Sequence, residues 1–426
     1  MPEREKKRYS DVEINKELPM NIQKIFADTA FVRTGGSPEE QKTAAYIRDV
    51  CRGFGCEPTF EEFDVQMATM HTETLTVDGV SVPCKGYLNA GTHEVEAPLY
   101  YLVGKDKYAL EGCRGKIVLF DGYLGYWRYR DLLEYGAVGF ITYDGSVNYA
   151  DRDIDRRELR AMVAEGVDKI PGVNINAKDA VALIKSGAST AKITLSQDEY
   201  VGQSRNVVLT LPGECEDAET IAFTAHYDST SLSEGAYDNM SGSVGLLALA
   251  EHFASRPHKR TLRFIWCGSE ERGLLGAKAY CAAHEEELSG TVLCINLDMI
   301  GCTMGHLIAC CTTEEALVSY ISYLGRETGT LIDPYQDVYS SDSTPFADKG
   351  VPAVSFARIS PREAATIHNS YDTSDIIKVE NMETDIALIT VFAERMANAT
   401  FCPVRREIPD NIKEKLDEYL CRKRKK

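Results

Sequence analysis

Three apolar runs in the second half of the chain each stop at ionisable residues, and this pattern narrows the fold more than any other. Ile221-Ala-Phe-Thr-Ala delivers His226, Thr261-Leu-Arg-Phe-Ile-Trp-Cys-Gly delivers Glu270 and Glu271, and Thr291-Val-Leu-Cys-Ile-Asn-Leu delivers Asp298. Short runs this rich in β-branched and aromatic residues read as buried strands. A further strand is expected at 207–211, and helical patterns at 242–253 and 274–284 separate the runs. Strand and helix in alternation predict an α/β fold: a mixed, mostly parallel sheet flanked by helices. In such sheets, sites form at the carboxyl ends of the strands.

The first half reads differently. Ile14, Leu18, Ile22, Ile25 and Phe26 recur at helical spacing, and Ser37-Pro-Glu-Glu supplies an N-cap with proline in the first turn of a second helix. From Thr59 the pattern turns to β, with Phe60, Phe63 and Val65, then an alternating His71-Thr-Glu-Thr-Leu-Thr-Val that ends at the turn pair Asp78-Gly79. Residues 70–201 form a self-contained α+β pattern. The strand Lys116-Ile-Val-Leu-Phe leads to a helix through Leu132 and Tyr135, stopped by Gly136, and then to the strand Val138-Gly-Phe-Ile-Thr-Tyr. Gly172-Val-Asn-Ile, a helix over 177–185 and Ala191-Lys-Ile-Thr-Leu follow. This segment holds no nucleophile, metal cluster or phosphate loop. Tyr123, Tyr126, Trp127 and Tyr129, beside Arg128 and Arg130, either pack at a helix start or overhang a cleft. In the tail, Ile412, Leu416 and Leu420 share a helical stripe that would dock on its own domain or on a second copy in a homo-oligomer.

With 65 acidic against 47 basic residues, a formal charge of −18, the surface repels nucleic acid and anionic membranes. Thirteen cysteines without a Cys-x-x-Cys pair read as reduced thiols of a cytoplasmic protein. No signal-like stretch or membrane-length apolar run is seen, so no membrane partner is expected.

If the strand ends converge, Asp238, Glu270, Glu271 and Asp298 share an acidic pocket, where like charges force protons onto some of them unless cations compensate. Two divalent ions would balance three coordinating carboxylates and a hydroxide, leaving one glutamate free as a base. Nitrogen from His226 and His368 mixed with carboxylate oxygen suits zinc, with manganese or cobalt accepting the same donors.

Five strings, Ala225-His-Tyr-Asp-Ser, Gly235-Ala-Tyr-Asp-Asn-Met-Ser-Gly, Gly268-Ser-Glu-Glu-Arg-Gly-Leu-Leu-Gly, Asn296-Leu-Asp-Met-Ile-Gly and Ile367-His-Asn-Ser-Tyr-Asp-Thr, resemble the co-catalytic zinc aminopeptidases, in the same order. The resemblance implies a zinc exopeptidase fold over 1–69 and 202–426. It implies one zinc on His226, Asp238 and Asp298 and another on Asp238, Glu271 and His368. Asp228 would orient His226, and Glu270 would act as general base, taking a proton from the metal-bridging water and passing it to the leaving amine. The peptide bond after Asp238 would be cis. Residues 70–201 resemble an inserted protease-associated domain, which would cap the cleft.

The implied activity is release of N-terminal amino acids from peptides with a free N-terminus. The alternatives are a non-catalytic receptor or scaffold on the same fold, or a carboxypeptidase, dipeptidase or glutaminyl cyclase. The chain departs from many relatives at Ser341-Asp342-Ser343, where they carry Ser-Asp-His. Asp342 would either support the metal ligands or cap the helix through Phe346. Tyr339 lies near the place of an oxyanion-stabilising tyrosine, but the sequence assigns no such partner.

Overall fold

A computed structural model describes residues 20–147, 154–215, 219–361 and 364–425. Ile14 and Leu18, expected on the first helix, lie outside them. Four parallel strands, Ala353–Ile359, Thr291–Leu297, Thr220–His226 and Thr261–Cys267, occupy the centre of the main sheet in that spatial order. His306–Cys311 pairs antiparallel at one side, and Thr190–Leu211 pairs antiparallel at the other. The helices Ser241–Ala254, Leu275–Ala283 and Val379–Asn398 pack around this sheet, giving the mixed, mostly parallel α/β architecture expected from the sequence.

The central strands are mostly apolar because they are covered on both faces. Every residue of Thr291–Leu297 is buried, as is every residue of Thr220–His226 after the first. Upstream, Ser37 caps Pro38–Gly53 by accepting a hydrogen bond from the Glu40 N–H, as the sequence predicts.

The sequence reading is corrected at the ribbon that links the two halves. Instead of separate strands at 191–195 and 207–211, one strand spans Thr190–Leu211 and pairs antiparallel with Thr59–Val77 along its length. Polar residues between the two apolar stretches hide this continuity, because backbone pairing rather than burial holds the strands together there. The expected limits at 69/70 and 201/202 fall inside these two strands. The register shifts between Met70 and Thr72. From the ribbon, His93–Leu102, Ile117–Phe120, Gly139–Asp144 and Gly172–Asn176 continue the sheet. Buried apolar side chains form two main clusters, one drawn from residues 75–195 and the other from 22–51 and 207–404.

The tail docks on its own chain. Ile412 and Leu416 of Asp410–Tyr419 are buried against Ala347, whereas Leu420 falls past the end of the helix and is half-buried. No helix among the described residues is long and apolar enough to cross a membrane.

One buried ion pair ties the long helix Val379–Asn398 to the strand ends. Asp385, fully buried, accepts from Arg358 Nε and Nη2 at 2.9 and 2.5 Å, and from the Gly301 N–H at 3.0 Å. Gly301 lies three residues past Asp298. Removing one partner of such a pair leaves a buried charge uncompensated. Asp385→Ala should therefore lower stability by about 3–5 kcal/mol, read as a lower denaturation midpoint with an unchanged slope.

Candidate metal centre

Each polar residue at a strand end is held by backbone chemistry in the loop that follows. Asp238 lies in a turn between the strand ending at His226 and the helix Ser241–Ala254, with a cis bond to Asn239. The Asn239 side chain donates to the Leu297 carbonyl at 3.0 Å and accepts from the Gly242 and Met299 N–H groups. The Asp238 and Asp298 loops are thus stitched together. Gly242 is needed for this approach, since a Cβ there would sit 2.2 Å from the Leu297 carbonyl oxygen. Ser269, Leu274, Met299 and His368 all adopt positive φ, at 54°, 61°, 62° and 59°. Such conformations cost energy in residues other than glycine and cluster where surrounding structure enforces them.

The expected residues converge. Asp238 Oδ1 is 3.1 Å from His226 Nε2, and its Oδ2 is 3.1 Å from His368 Nε2. On the first side, Asp298 Oδ1 is 3.9 Å from His226 Nε2; on the second, Glu271 Oε1 is 3.1 Å from His368 Nε2. Two donor groups result, His226 with Asp238 and Asp298, and Asp238 with Glu271 and His368, each with its ligand atoms within 4.8 Å of one another. Glu270 belongs to neither group and stands beside them, its Oε2 3.9 Å from His226 Nε2. Asp228 Oδ1 lies 3.3 Å from His226 Nδ1, and its two oxygens accept the Glu270 and Glu271 N–H groups at 2.9 and 3.2 Å. One carboxylate thus holds the backbone of both glutamates and lies beside the imidazole.

The electrostatics of this pocket are severe. Burial disfavours a charged His226, yet Glu270, Asp228, Asp238 and Asp298 lift its pKa well above the usual imidazole range. Burial would also raise Asp238, but the two facing imidazoles hold it below the usual carboxylate range. Burial, and after it the charges of Asp238 and Glu271, push Asp298 up to about 7 against the pull of His226. Glu270 is raised well above its ordinary value by burial and by Glu271, Asp342 and Asp298, which outweigh His226.

The residues fit a metal pair. Glu271 Oε1 and Asp298 Oδ1 are buried atoms without a hydrogen-bond partner among the described residues. Mixed imidazole and carboxylate donors are a common zinc set.

Further residues support the site, and of these Arg33 and Arg160 carry no readable signal in the sequence. Arg33, fully buried, donates to the carbonyls of Tyr227, Glu234 and Gly235. Asp372 accepts the Tyr237 and Asp238 N–H groups at 2.7 and 3.1 Å. It lies in the same string as His368, which was the available clue. Arg160, from the segment 70–201, donates to the Glu271 carbonyl at 2.7 Å. Asp342 makes no capping hydrogen bond, and both its oxygens are buried without a hydrogen-bond partner among the described residues. Tyr339 lines the metal pocket, and its hydroxyl is buried without a hydrogen-bond partner among the described residues. Of the four aromatics weighed in the sequence, Tyr129 is buried in the packing of its own segment. Tyr123 lines the cleft next to the metal groups.

A family model for peptidase family M28 matches residues 206–392. Aminopeptidase YwaD of Bacillus subtilis (strain 168) is 25% identical over 88% of this chain and 85% of its own. A zinc aminopeptidase from Bacillus subtilis superposes with a TM-score of 0.75 at 22% identity, covering 93% of this chain and all of its own, a likeness of fold. An aminopeptidase from Aneurinibacillus sp. strain AM-1 superposes with a TM-score of 0.68 at 25% identity, over 90% of this chain and 96% of its own.

Proton-loaded ligands must give up their protons to bind a cation, so uptake should weaken as pH falls. Zinc titrated into chelator-treated protein should release protons, seen as a buffer-dependent calorimetric heat, and apparent affinity should fall as pH drops through about 7, where Asp298 takes a proton. A heat independent of buffer would contradict the donor assignment.

Proposed function

We propose that the chain, whose residues 206–392 match the model for peptidase family M28, is a member of that family and an aminopeptidase releasing N-terminal residues from peptides with a free amine. The observation that carries the reading is the Asp238 carboxylate, one oxygen toward each histidine, with Glu270 poised beside both donor groups and a member of neither. His226, Asp238 and Asp298 would hold one zinc ion, and Asp238, Glu271 and His368 the other, with manganese or cobalt as substitutes. When bound, the ions supply Lewis acidity to the scissile carbonyl and to the attacking water, so no protein nucleophile is required.

The chain's own residues do the rest. Glu270 accepts the proton of the attacking water at its carboxylate and passes it to the leaving amine. Burial and the neighbouring acids raise its proton affinity, which suits a group that must hold a proton between the two steps. Asp228 keeps His226 in one orientation and fixes the Glu270 backbone, so ligand and base move together. The segment 70–201, which we read as a protease-associated domain, caps the cleft through Arg160 and Tyr123 and limits access of water and of folded chains. Thirteen free cysteines, most of them buried, support a reducing, cytoplasmic setting.

Purified protein should cleave amino-acid anilides with a free amine and spare their N-acetylated forms. Chelation should abolish the activity and zinc restore it. Glu270→Gln should lower kcat by about 10²–10⁴-fold while bound metal is unchanged. Cleavage of blocked substrates at the free-amine rate, or full activity in Glu270→Gln, would contradict the proposal.

A further inference from the structure

The metal groups open into a pocket of about 420 Å³. Away from the ligands Leu274, Met299, Ile359 and Ile367 give it apolar walls, with Arg160, Ser340, Tyr339 and Tyr419 also among the lining residues. Past Arg160, Glu271, Ile367 and His368, which line both spaces, it meets a wider cleft of about 580 Å³. A peptide whose first carbonyl sits at the metal groups has two directions to fill. Its chain must leave through the wider cleft, so its first side chain must enter the smaller pocket.

Tyr419 comes from outside the peptidase sheet, at the last residue of the tail helix Asp410–Tyr419. Its placement is over-determined. Ile412 and Leu416 anchor the helix against Ala347. The hydroxyls of Tyr419 and Ser340 are hydrogen-bonded at 2.7 Å. Arg422 forks onto Asp348 at 2.6 and 2.7 Å. Arg424 reaches the segment 70–201, pairing with Asp131 at 2.6 Å with its guanidinium 4.7 Å above the Trp127 ring. The tail thus runs from the helix Ser343–Asp348 across to the helix Tyr126–Glu134, and Tyr419 lines the pocket before that crossing.

The geometry points to the C-terminal tail as the end wall of the pocket for the substrate's first side chain, with Tyr419 setting its depth. Because the ring is fixed at both its helix and its hydroxyl, it selects apolar first residues by length. Leucine-sized side chains fit before the ring, and large aromatic ones meet it. This inference rests on the aminopeptidase reading for the site to which the pocket belongs.

The test compares zinc-loaded full chains of wild type, Tyr419→Ala and Tyr419→Trp on alanine, leucine and tryptophan anilides. Tyr419→Ala should raise the tryptophan-to-leucine ratio of kcat/KM by about tenfold or more, the size of effect that a change of a few atoms in an apolar pocket produces. Tyr419→Trp should lower the leucine-to-alanine ratio by a similar factor. Calorimetric binding of free leucine and tryptophan carries the same comparison without turnover. Metal content and circular dichroism report folding, and if Tyr419→Ala loses its metal, Tyr419→Trp decides. Ratios within twofold of wild type in both assays would overturn the role of the tail. A wild-type chain that binds the amino acids with the expected shifts yet cleaves no anilide would break the functional reading and leave the wall in place.

Discussion

The Asp238 carboxylate is the interaction on which the site depends. Its oxygens face two imidazoles that belong to different strand-end loops, at 3.1 Å each. Around it, Asp228, Glu270, Asp298, Asp342 and Asp372 are all buried. In a low-dielectric interior such a group of acids cannot all be ionised without compensation. Two imidazoles and the buried Arg33 guanidinium, which faces Asp228, Asp238 and Asp372, are too few partners for them. Cations held between the donor groups would remove the conflict, and such cations would supply Lewis acidity for hydrolysis.

That concentration of charge requires a stiff frame. Asn239 and Ser241 bind the Asp238 turn to the loop after Asp298, while Asp385 and Arg358 fasten the same loop from the helix behind it. Asp372 holds the Asp238 turn from the other side. Positive-φ residues next to Glu270, next to Asp298 and at His368 show that the backbone is shaped to the site and not the reverse.

The metal groups are largely legible in the sequence because His226, Glu271 and Asp298 follow apolar strands and Asp238 follows a glycine-bearing turn, both local patterns, while His368 is marked only by its own string. His226, Asp238, Glu271, Asp298 and His368 all meet where the strings place them. What the sequence does not disclose depends on distant contacts. Arg160 reaches Glu271 across 111 positions, and Arg33 serves carbonyls about 200 positions away. Tyr419 reads as one more residue of an amphipathic tail, since nothing nearby in the chain marks the pocket it faces. The ribbon of Thr59–Val77 and Thr190–Leu211 escaped for a related reason: its middle is solvent-facing, and pairing leaves no hydrophobic signature.

The most direct test of the account is diffraction from crystals grown with zinc, recorded on both sides of the zinc absorption edge. The account predicts two anomalous peaks per chain, one between Asp238 and His226 and one between Asp238 and His368. Absence of any peak beside Asp238, or a single ion bound without it, would contradict the claim that cations hold these acids together.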